Sequence, residues 1–367
     1  MEKNSKIFVA GHNGLVGSAI LKNLKDKGYT NFVLRSSKEL DLRNQASTEE
    51  FFDRERPDYV LLAAAFVGGI VANSKYRADF IFNNLQIQNN VIGSAYKYGV
   101  KKLLFLGSTC IYPAACSQPM KEDALLTMPL EYTNEPYAIA KIAGLKMCES
   151  FNIQYGTNFI AVMPTNLYGP NDNFDLEKSH VLPALLRKAH LGKSLVSGDW
   201  EEIRNDLNKY PIEGIDGKAN KDAILDKLGK YGITIVNNKV SIEIWGTGMP
   251  LREFLWSEEM ADACVFVMEN VDYADLISKE DKEIRNLHIN IGTGKEITIK
   301  DLAYLIAKKV GFTGDIKFNA DKPDGTMRKL TDPSKLHSLG WHHKIDIEEG
   351  IERMYEWYLL PFHLPNF

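Results

Sequence analysis

From the N-terminus to about residue 165 the chain alternates short apolar runs with segments of helical period, and this alternation leaves few folds open. The runs Ile7–Ala10, Phe32–Leu34, Tyr59–Leu62, Leu103–Leu106 and Phe159–Met163 are expected as strands. Leu15–Lys27, Thr48–Arg56, Ala78–Tyr98 and Tyr137–Tyr155 are expected as the helices that connect them. Parallel neighbours need long crossovers, and helices of this length make right-handed ones, so the pattern predicts an α/β chain built on a doubly wound parallel sheet.

After Pro164 the alternation stops. A helix is expected near Val181–Leu191, then a charged stretch from about Lys193 to Val240. So long a structureless loop is improbable in a compact domain, and Ile203/Leu207 and Ile224/Leu225/Leu228 have helical spacing, so this stretch is expected to fold locally. Helices Glu258–Glu269, Ile299–Val310 and Ile347–Tyr358 and strand Leu287–Ile291 suggest a smaller C-terminal α/β lobe. The expected division is 1–167, with segments near 255–293 returning to it, and 168–367; a chain of 367 residues accommodates two domains at about 150 residues each.

Composition excludes several classes of function. Lys and Arg number 44 against 48 Asp and Glu, a net charge of −4, so no general positive field exists to hold nucleic acid. The longest uncharged apolar stretch, Val60–Ala72, falls short of the roughly 20 residues that span a bilayer, so no membrane association is expected. The first residues, Met1-Glu2-Lys3-Asn4-Ser5-Lys6, run straight into a strand without a signal-peptide pattern, which points to the cytoplasm. Cys110, Cys116, Cys148 and Cys264 fit neither a zinc spacing nor a disulfide scaffold; they read as reduced thiols, and no metal is expected.

Three motifs carry chemistry. Gly11-His12-Asn13-Gly14-Leu15-Val16-Gly17 follows a strand and opens a helix, with glycines where a tight turn, a pyrophosphate and helix packing each exclude a side chain. The helix N-terminus then faces the phosphates, as in a Rossmann-type dinucleotide site. The second strand ends Leu34-Arg35-Ser36-Ser37-Lys38, where Arg35 can pair with a ribose 2′-phosphate, so NADP(H) is expected rather than NAD(H); the nearby Glu39 leaves a ribose contact open.

Tyr137 and Lys141 stand at i and i+4 behind Pro136, where the helix end and the ammonium are expected to stabilise tyrosinate and draw the phenol toward working pH. The same spacing at Tyr98/Lys102 and Tyr304/Lys308 reads as ordinary helix pairs. Gly107-Ser108-Thr109-Cys110 follows the fourth strand at the carboxyl edge, where such sheets bind ligands, so Ser108 can bond the oxygen that Tyr137 protonates. Ser108, Tyr137 and Lys141 beside a nicotinamide make an apparatus for hydride transfer to a carbonyl.

These residues resemble the extended short-chain dehydrogenase/reductase family. The narrower likeness is to its branch that epimerises GDP-4-keto-6-deoxy-D-mannose at C3 and C5 and then reduces C4 with NADPH. It rests on Phe8-Val9-Ala10-Gly11-His12, Val67-Gly68-Gly69-Ile70, Ser108-Thr109-Cys110-Ile111-Tyr112-Pro113, Asn134-Glu135-Pro136-Tyr137-Ala138-Ile139-Ala140-Lys141, Met163-Pro164-Thr165-Asn166-Leu167-Tyr168-Gly169-Pro170, Arg252-Glu253-Phe254 and Lys322-Pro323-Asp324-Gly325-Thr326. It covers nearly the whole chain except about 193–240, which is read as an insertion of open role.

The resemblance implies that NADPH is held by the Gly11–Gly17 turn, Arg35, Leu106, Gly107, Ser108, Thr109, Lys141, Pro164, Thr165, Asn166, Leu167 and His180. It further implies Cys110 as base and His180 as acid in the epimerisation, and Lys188, Trp245, Arg252 and Asp324 as contacts to the GDP-sugar. Inversion requires proton removal on one face and return on the other, hence two different groups. Thr109 and Lys188 depart from the commoner Ser and Arg, and Lys188 thereby loses bidentate geometry. The resemblance also implies a homodimer built on paired helices. A 4,6-dehydratase, a 4-epimerase and a silent NADP(H)-binding sensor are the rival readings. The first would want a carboxylate where Thr109-Cys110 stands, the second has no use for Cys110 and His180, and the third need not retain Tyr137 and Lys141.

Overall fold

The computed structural model describes residues 1–278 and 282–360. In chain order the first elements are β1 (Ile7–Ala10), α1 (Leu15–Asp26), β2 (Phe32–Val33), α2 (Gln45–Glu55), β3 (Tyr59–Leu62), α3 (Ile70–Lys75), α4 (Arg77–Lys97), β4 (Lys102–Leu106), α5 (Glu135–Tyr155), β5 (Phe159–Pro164) and β6 (Asn166–Tyr168). Then come α6 (Val181–Ser197), α7 (Trp200–Lys209), α8 (Lys221–Lys230), β7 (Ile233–Val236), β8 (Lys239–Trp245) and β9 (Leu251–Arg252). They are followed by β10 (Phe254–Trp256), α9 (Ser257–Asn270), β11 (Ile289–Ile291), β12 (Ile297–Thr298), α10 (Ile299–Val310), β13 (Asp315–Asn319), β14 (Arg328–Lys329), α11 (Ser334–Ser338) and α12 (Ile347–Leu359).

These elements form two compact units, 1–167 with 253–295 and 330–345, and 168–252 with 296–329 and 346–367. The contribution of 330–345 to the first unit is one that the strand–helix alternation does not signal.

The first unit is a six-stranded parallel sheet in the order β11-β5-β4-β3-β1-β2, so the strand order reverses between β1 and β3, the place where such sheets bind ligands. Its strands are apolar throughout because both faces are covered. Ile7 and Val9 of β1, Leu104 and Leu106 of β4 and Ile160 and Val162 of β5 pack with α1 and α9 through Ile20, Leu24, Met260 and Val267. The alternate residues Phe8, Leu103, Phe105, Phe159 and Met163 pack with α2, α4 and α5 through Phe51, Phe52, Val91, Ile92 and Leu145. At about 25 cal/mol per Å² each such side chain contributes roughly 1.5–3 kcal/mol, and the period of two assigns it to one layer or the other. The expected doubly wound Rossmann-type architecture is present.

The second unit holds two small sheets, β13-β8-β7 and β12-β9-β14. The stretch 193–240 does fold locally. It contributes the end of α6, helices α7 and α8 with Ile203, Leu207, Ile224 and Leu228 buried, and a hairpin of β7 with the start of β8. The hairpin is missing from the sequence expectation. Its signal is Asn237-Asn238, both left-handed with φ 50° and 59°, the pair a two-residue turn of that hand requires.

Candidate active site

The turn after β1 leaves no room for side chains at two of its glycines. Gly11 has φ 85°, and a Cβ on it would stand 2.8 Å from the Ala64 amide nitrogen at the head of the neighbouring loop. A Cβ on Gly17 would stand 2.1 Å from the Gly11 carbonyl oxygen, so α1 approaches the turn as closely as backbone allows. Asn13 and Gly14 are exposed at the tip, Leu15 and Val16 are half-buried, and no side chain caps α1 at Gly14. The first amides of α1 are thus left for an anion. His12 is buried, and its Nδ1 bonds nothing among the described residues. An open helix N-terminus above glycines that a Cβ would choke is a cradle into which a pyrophosphate fits.

At the end of β2, Arg35 donates from Nη2 to Glu55 Oε1 at 2.9 Å and from Nη1 to the Leu34 carbonyl at 2.7 Å. The Ser36 amide and hydroxyl both donate to Glu39 Oε2 at 2.7 Å, which holds that carboxyl below the usual range. Glu39 therefore turns to Ser36.

The reduction groups converge on the carboxyl end of β4. A Cβ on Gly107 would meet Met163 Sδ at 2.2 Å, and one on Gly144 would meet the Phe105 ring at 2.4 Å, so β5 and α5 both crowd against β4. That close approach puts Lys141 Nζ 2.8 Å from the Leu106 carbonyl, 4.9 Å from the Phe105 ring centre and 5.7 Å from the Tyr137 ring centre. Burial lowers Lys141 to about 8. Burial first, then the nearby Cys110, push the Tyr137 phenol well above its ordinary value. The expectation of a phenol drawn toward working pH is corrected here: desolvation of the anion, with Cys110 beside it, raises the phenol, so Tyr137 holds its proton.

Ser108 Oγ accepts from the Cys110 amide at 3.3 Å and caps the short turn Thr109–Ile111, leaving the Ser108 hydroxyl proton to donate elsewhere. Cys110 lies near enough to Tyr137 and Lys141 to interact electrostatically with both. Ser108, Cys110, Tyr137 and Lys141 are thus brought together. The turn is anchored from below by Tyr112, whose hydroxyl donates to Asn290 Oδ1 at 2.5 Å and meets His288 Nε2 at 2.9 Å. The Tyr98/Lys102 pair is not helical: Tyr98 follows the last residue of α4, and Lys102 opens β4, its Nζ bonded to the Val267, Met268 and Val271 carbonyls at the end of α9. Tyr304 and Lys308 do share α10.

Pro164 ends β5, and the Thr165 amide continues its ladder to the Ile291 carbonyl at 3.0 Å. Asn166 Nδ2 donates to the Glu253 carbonyl at 2.8 Å. Glu253 itself is fully buried. Its carboxylate accepts from the amides of Thr293 (2.6 Å), Gly294 (2.7 Å) and Thr331 (2.9 Å), so one side chain fastens several returning segments behind the Pro164–Leu167 strand end. In the sequence this glutamate stands out only as the middle of Arg252-Glu253-Phe254. Its one local signal is a carboxylate immediately before a buried apolar strand.

In the second unit His180 is the residue before α6; its side chain keeps an exposed edge, and partial loss of water around the ring lowers its pKa. Lys188, two turns along α6, donates to the Glu243 carbonyl of β8 at 2.9 Å and is lowered by burial to about 8. Trp245 ends β8 with its indole 60% exposed, and the Lys322 ammonium stands 5.3 Å from its ring centre. Asp324 accepts from the Thr247 amide at 2.9 Å and hydroxyl at 2.6 Å. Gly246, with φ 86°, makes way for it, since a Cβ there would lie 2.2 Å from Asp324 Oδ1. Arg252 is lowered by burial, against the attraction of Asp324. Trp245, Arg252 and Asp324 therefore share one neighbourhood, where an exposed aromatic face and a half-buried cation can meet a base and a diphosphate. No cluster of metal-ligating side chains occurs among the described residues.

Comparison with known proteins agrees with this reading of the fold. The profile of the NAD dependent epimerase/dehydratase family matches residues 7–207 and 217–292. GDP-L-fucose synthase 1 of Arabidopsis thaliana is 50% identical over 358 residues, 98% of this chain and 94% of the relative. GDP-L-fucose synthase of Escherichia coli K12 is 46% identical over 354 residues, 96% of each chain. The solved structure of the Campylobacter jejuni GDP-mannoheptose C4 reductase MlghC with NADP bound superimposes with a TM-score of 0.84 at 47% identity, covering 98% of this chain and 99% of that one. With the glycine turn, the β4 edge and the Tyr137/Lys141 helix arranged as described, the chain belongs to the NAD dependent epimerase/dehydratase family.

Proposed function

We propose that the protein is a GDP-L-fucose synthase, converting GDP-4-keto-6-deoxy-D-mannose to GDP-L-fucose by epimerisation at C3 and C5 and NADPH-dependent reduction at C4. The observation that carries this reading is the convergence of a thiol, a phenol that keeps its proton and a buried ammonium at the end of one strand: Cys110, Tyr137 and Lys141. A simple reductase has no need of the thiol. In this reading the first unit holds the dinucleotide and the second the GDP-sugar.

The Gly11–Gly17 cradle, Arg35, Leu106–Thr109, Lys141 and Pro164–Leu167 would hold NADPH, which would supply the hydride for C4. Arg35 would turn part of its guanidinium from Glu55 to the 2′-phosphate. The hydrogens at C3 and C5 both flank the C4 ketone. Cys110 as thiolate removes each, the electron pair moves onto the C4 oxygen, and donors from Ser108 and Tyr137 stabilise that charge. His180 returns a proton on the opposite face. In the reduction Tyr137 gives its proton to the C4 oxygen, for which a phenol held neutral by burial is the right starting state. Lys188, Trp245, Arg252 and Asp324 orient the nucleotide.

The four buried cysteines, none in a disulfide, suit a reducing compartment such as the cytoplasm. Exposed Phe82 and Tyr96 on α4 and Ile139, Ile153 and Tyr155 on α5 offer an apolar face for a homodimer built on paired helices. A second reading, reduction of a GDP-4-keto-heptose, is favoured by the name of the Campylobacter jejuni relative. NMR of the sugar formed from each keto-sugar with NADPH in deuterated water tests both. L-fucose labelled at C3 and C5 is the expected product, and conversion of the heptose alone would replace the first reading by the second.

A further inference from the structure

The turn that presents His180 is pinned to the stretch 193–240 by a buried ion pair. Arg187 on α6 is fully buried, and its Nε and Nη2 donate to Asp206 Oδ1 of α7 at 3.0 and 2.8 Å. Its Nη1 donates to the Phe174 carbonyl at 3.0 Å, and Nη2 also reaches the Tyr210 carbonyl. The other Asp206 oxygen accepts from the Tyr358 hydroxyl of α12. The Phe174 ring is held as firmly as its carbonyl, its centre 4.7 Å from that of Tyr358 and 5.4 Å from that of Tyr210.

From Phe174 the chain has little freedom before His180. Asp175 Oδ1 accepts from the Glu177 amide at 2.8 Å and the Lys178 amide at 3.1 Å, and the Asp175 carbonyl accepts from the Ser179 amide at 2.9 Å. The His180 backbone thus lies between a fixed residue, a turn closed by these bonds and the first turn of α6. A buried ion pair adds little net stability over apolar packing of the same shape, whereas it fixes the relative placement of the groups it bonds.

We propose that Arg187 and Asp206 are positioning residues for His180, and that the stretch 193–240 serves the epimerisation by supplying Asp206 and Tyr210. This inference rests on the reading of His180 as the group that returns the proton. It separates the two halves of the reaction: loosening the pin displaces an acid from C3 and C5 but leaves the groups on β4 and α5 where they are.

The test uses the full chain and three variants, Asp206→Asn, Tyr358→Phe and His180→Gln. Solvent-deuterium incorporation into GDP-4-keto-6-deoxy-D-mannose without NADPH gives the turnover and KM for exchange, and titrations give the dissociation constants of GDP and NADPH. Asp206→Asn is expected to lower exchange turnover about tenfold, and Tyr358→Phe about threefold, with both dissociation constants within twofold of the parent. Should Asp206→Asn fail to fold, Tyr358→Phe, which keeps the ring and loses one hydroxyl, decides alone. Full exchange turnover in a folded variant overturns the proposal. So does an equal loss of exchange and GDP affinity, because Lys188 shares α6 and general loosening would weaken both. His180→Gln tells apart the two ways of failing: if it exchanges at the parent rate, the role of His180 is wrong, and if it abolishes exchange while Asp206→Asn and Tyr358→Phe do not reduce it, only the pin is wrong.

Discussion

The chemistry-bearing groups of the two units are held by different means. In the first unit Gly11, Gly17, Gly107 and Gly144 let backbone and helices close to contact distance, and Ser108, Cys110, Tyr137 and Lys141 take their places from the sheet edge that results. In the second unit Lys188 and Asp324 are held by individual bonds, to the Glu243 carbonyl and from the Thr247 amide, and the turn leading to His180 by the Arg187 bond to the Phe174 carbonyl. A scaffold of strands tolerates the loss of one contact. A loop fixed by an ion pair does not.

Four experiments press on that contrast. The largest effect is expected of Tyr137→Phe, which keeps the ring in its sheet-edge seat and removes the proton: NADPH oxidation with the keto-sugar falls about 10²–10⁴-fold while NADPH affinity stays. Near-parental turnover would deny that the sheet edge carries the reduction. Cys110→Ser keeps the Ser108 cap and should cut deuterium uptake at C3 and C5 by about 10²-fold, measured by NMR; undiminished labelling would move the base elsewhere, and the second unit would be the first place to search.

Third is a stability effect. Lys141 has its pKa lowered from 10.5 to about 8 in the folded chain, so between these values the unfolded chain holds a proton that the folded chain has lost. Burial of this ammonium therefore costs stability below pH 8, and the cost is relieved as pH rises toward 10.5, by at most roughly 3 kcal/mol. Denaturant unfolding of the parent and of Lys141→Met at pH 7.5 and 10 should show the gain in the parent alone; the same gain in both would mean that Lys141 is not desolvated. The smallest effect is expected of Arg35→Ala, a reduction of about tenfold in the preference for NADPH over NADH by direct titration. An unchanged preference would make Arg35 no more than the partner of Glu55.

The same contrast explains what could be read from the residues alone. The parallel sheet, both faces of it, and the groups after β4 and on α5 are written in short-range patterns: unbroken apolar runs in β1 and β5, Pro136 and an i, i+4 pair at the start of α5, and glycines where a Cβ would collide. The β7–β8 hairpin was legible in Asn237-Asn238 between the apolar runs Ile233–Val236 and Val240–Ile244. Arg187 with Asp206, Tyr112 with His288 and Glu253 with Thr331 join residues 19, 176 and 78 positions apart, and no local pattern announces such partners. The ionisation of Tyr137 failed for a related reason. Spacing places an ammonium beside a phenol but says nothing of how dry the surroundings are, and dryness decided the direction.

The crossings of the chain between its units, after residues 167, 252, 295, 329 and 345, bear on how such a protein changes over time. Neither half is a cassette that recombination at one junction could lift out and replace, so a new sugar preference has to arise by substitution in place or by growth of a single excursion. The residues from 168 to 252 form the longest such excursion, and α6, α7, α8 and the β7–β8 hairpin all lie within it.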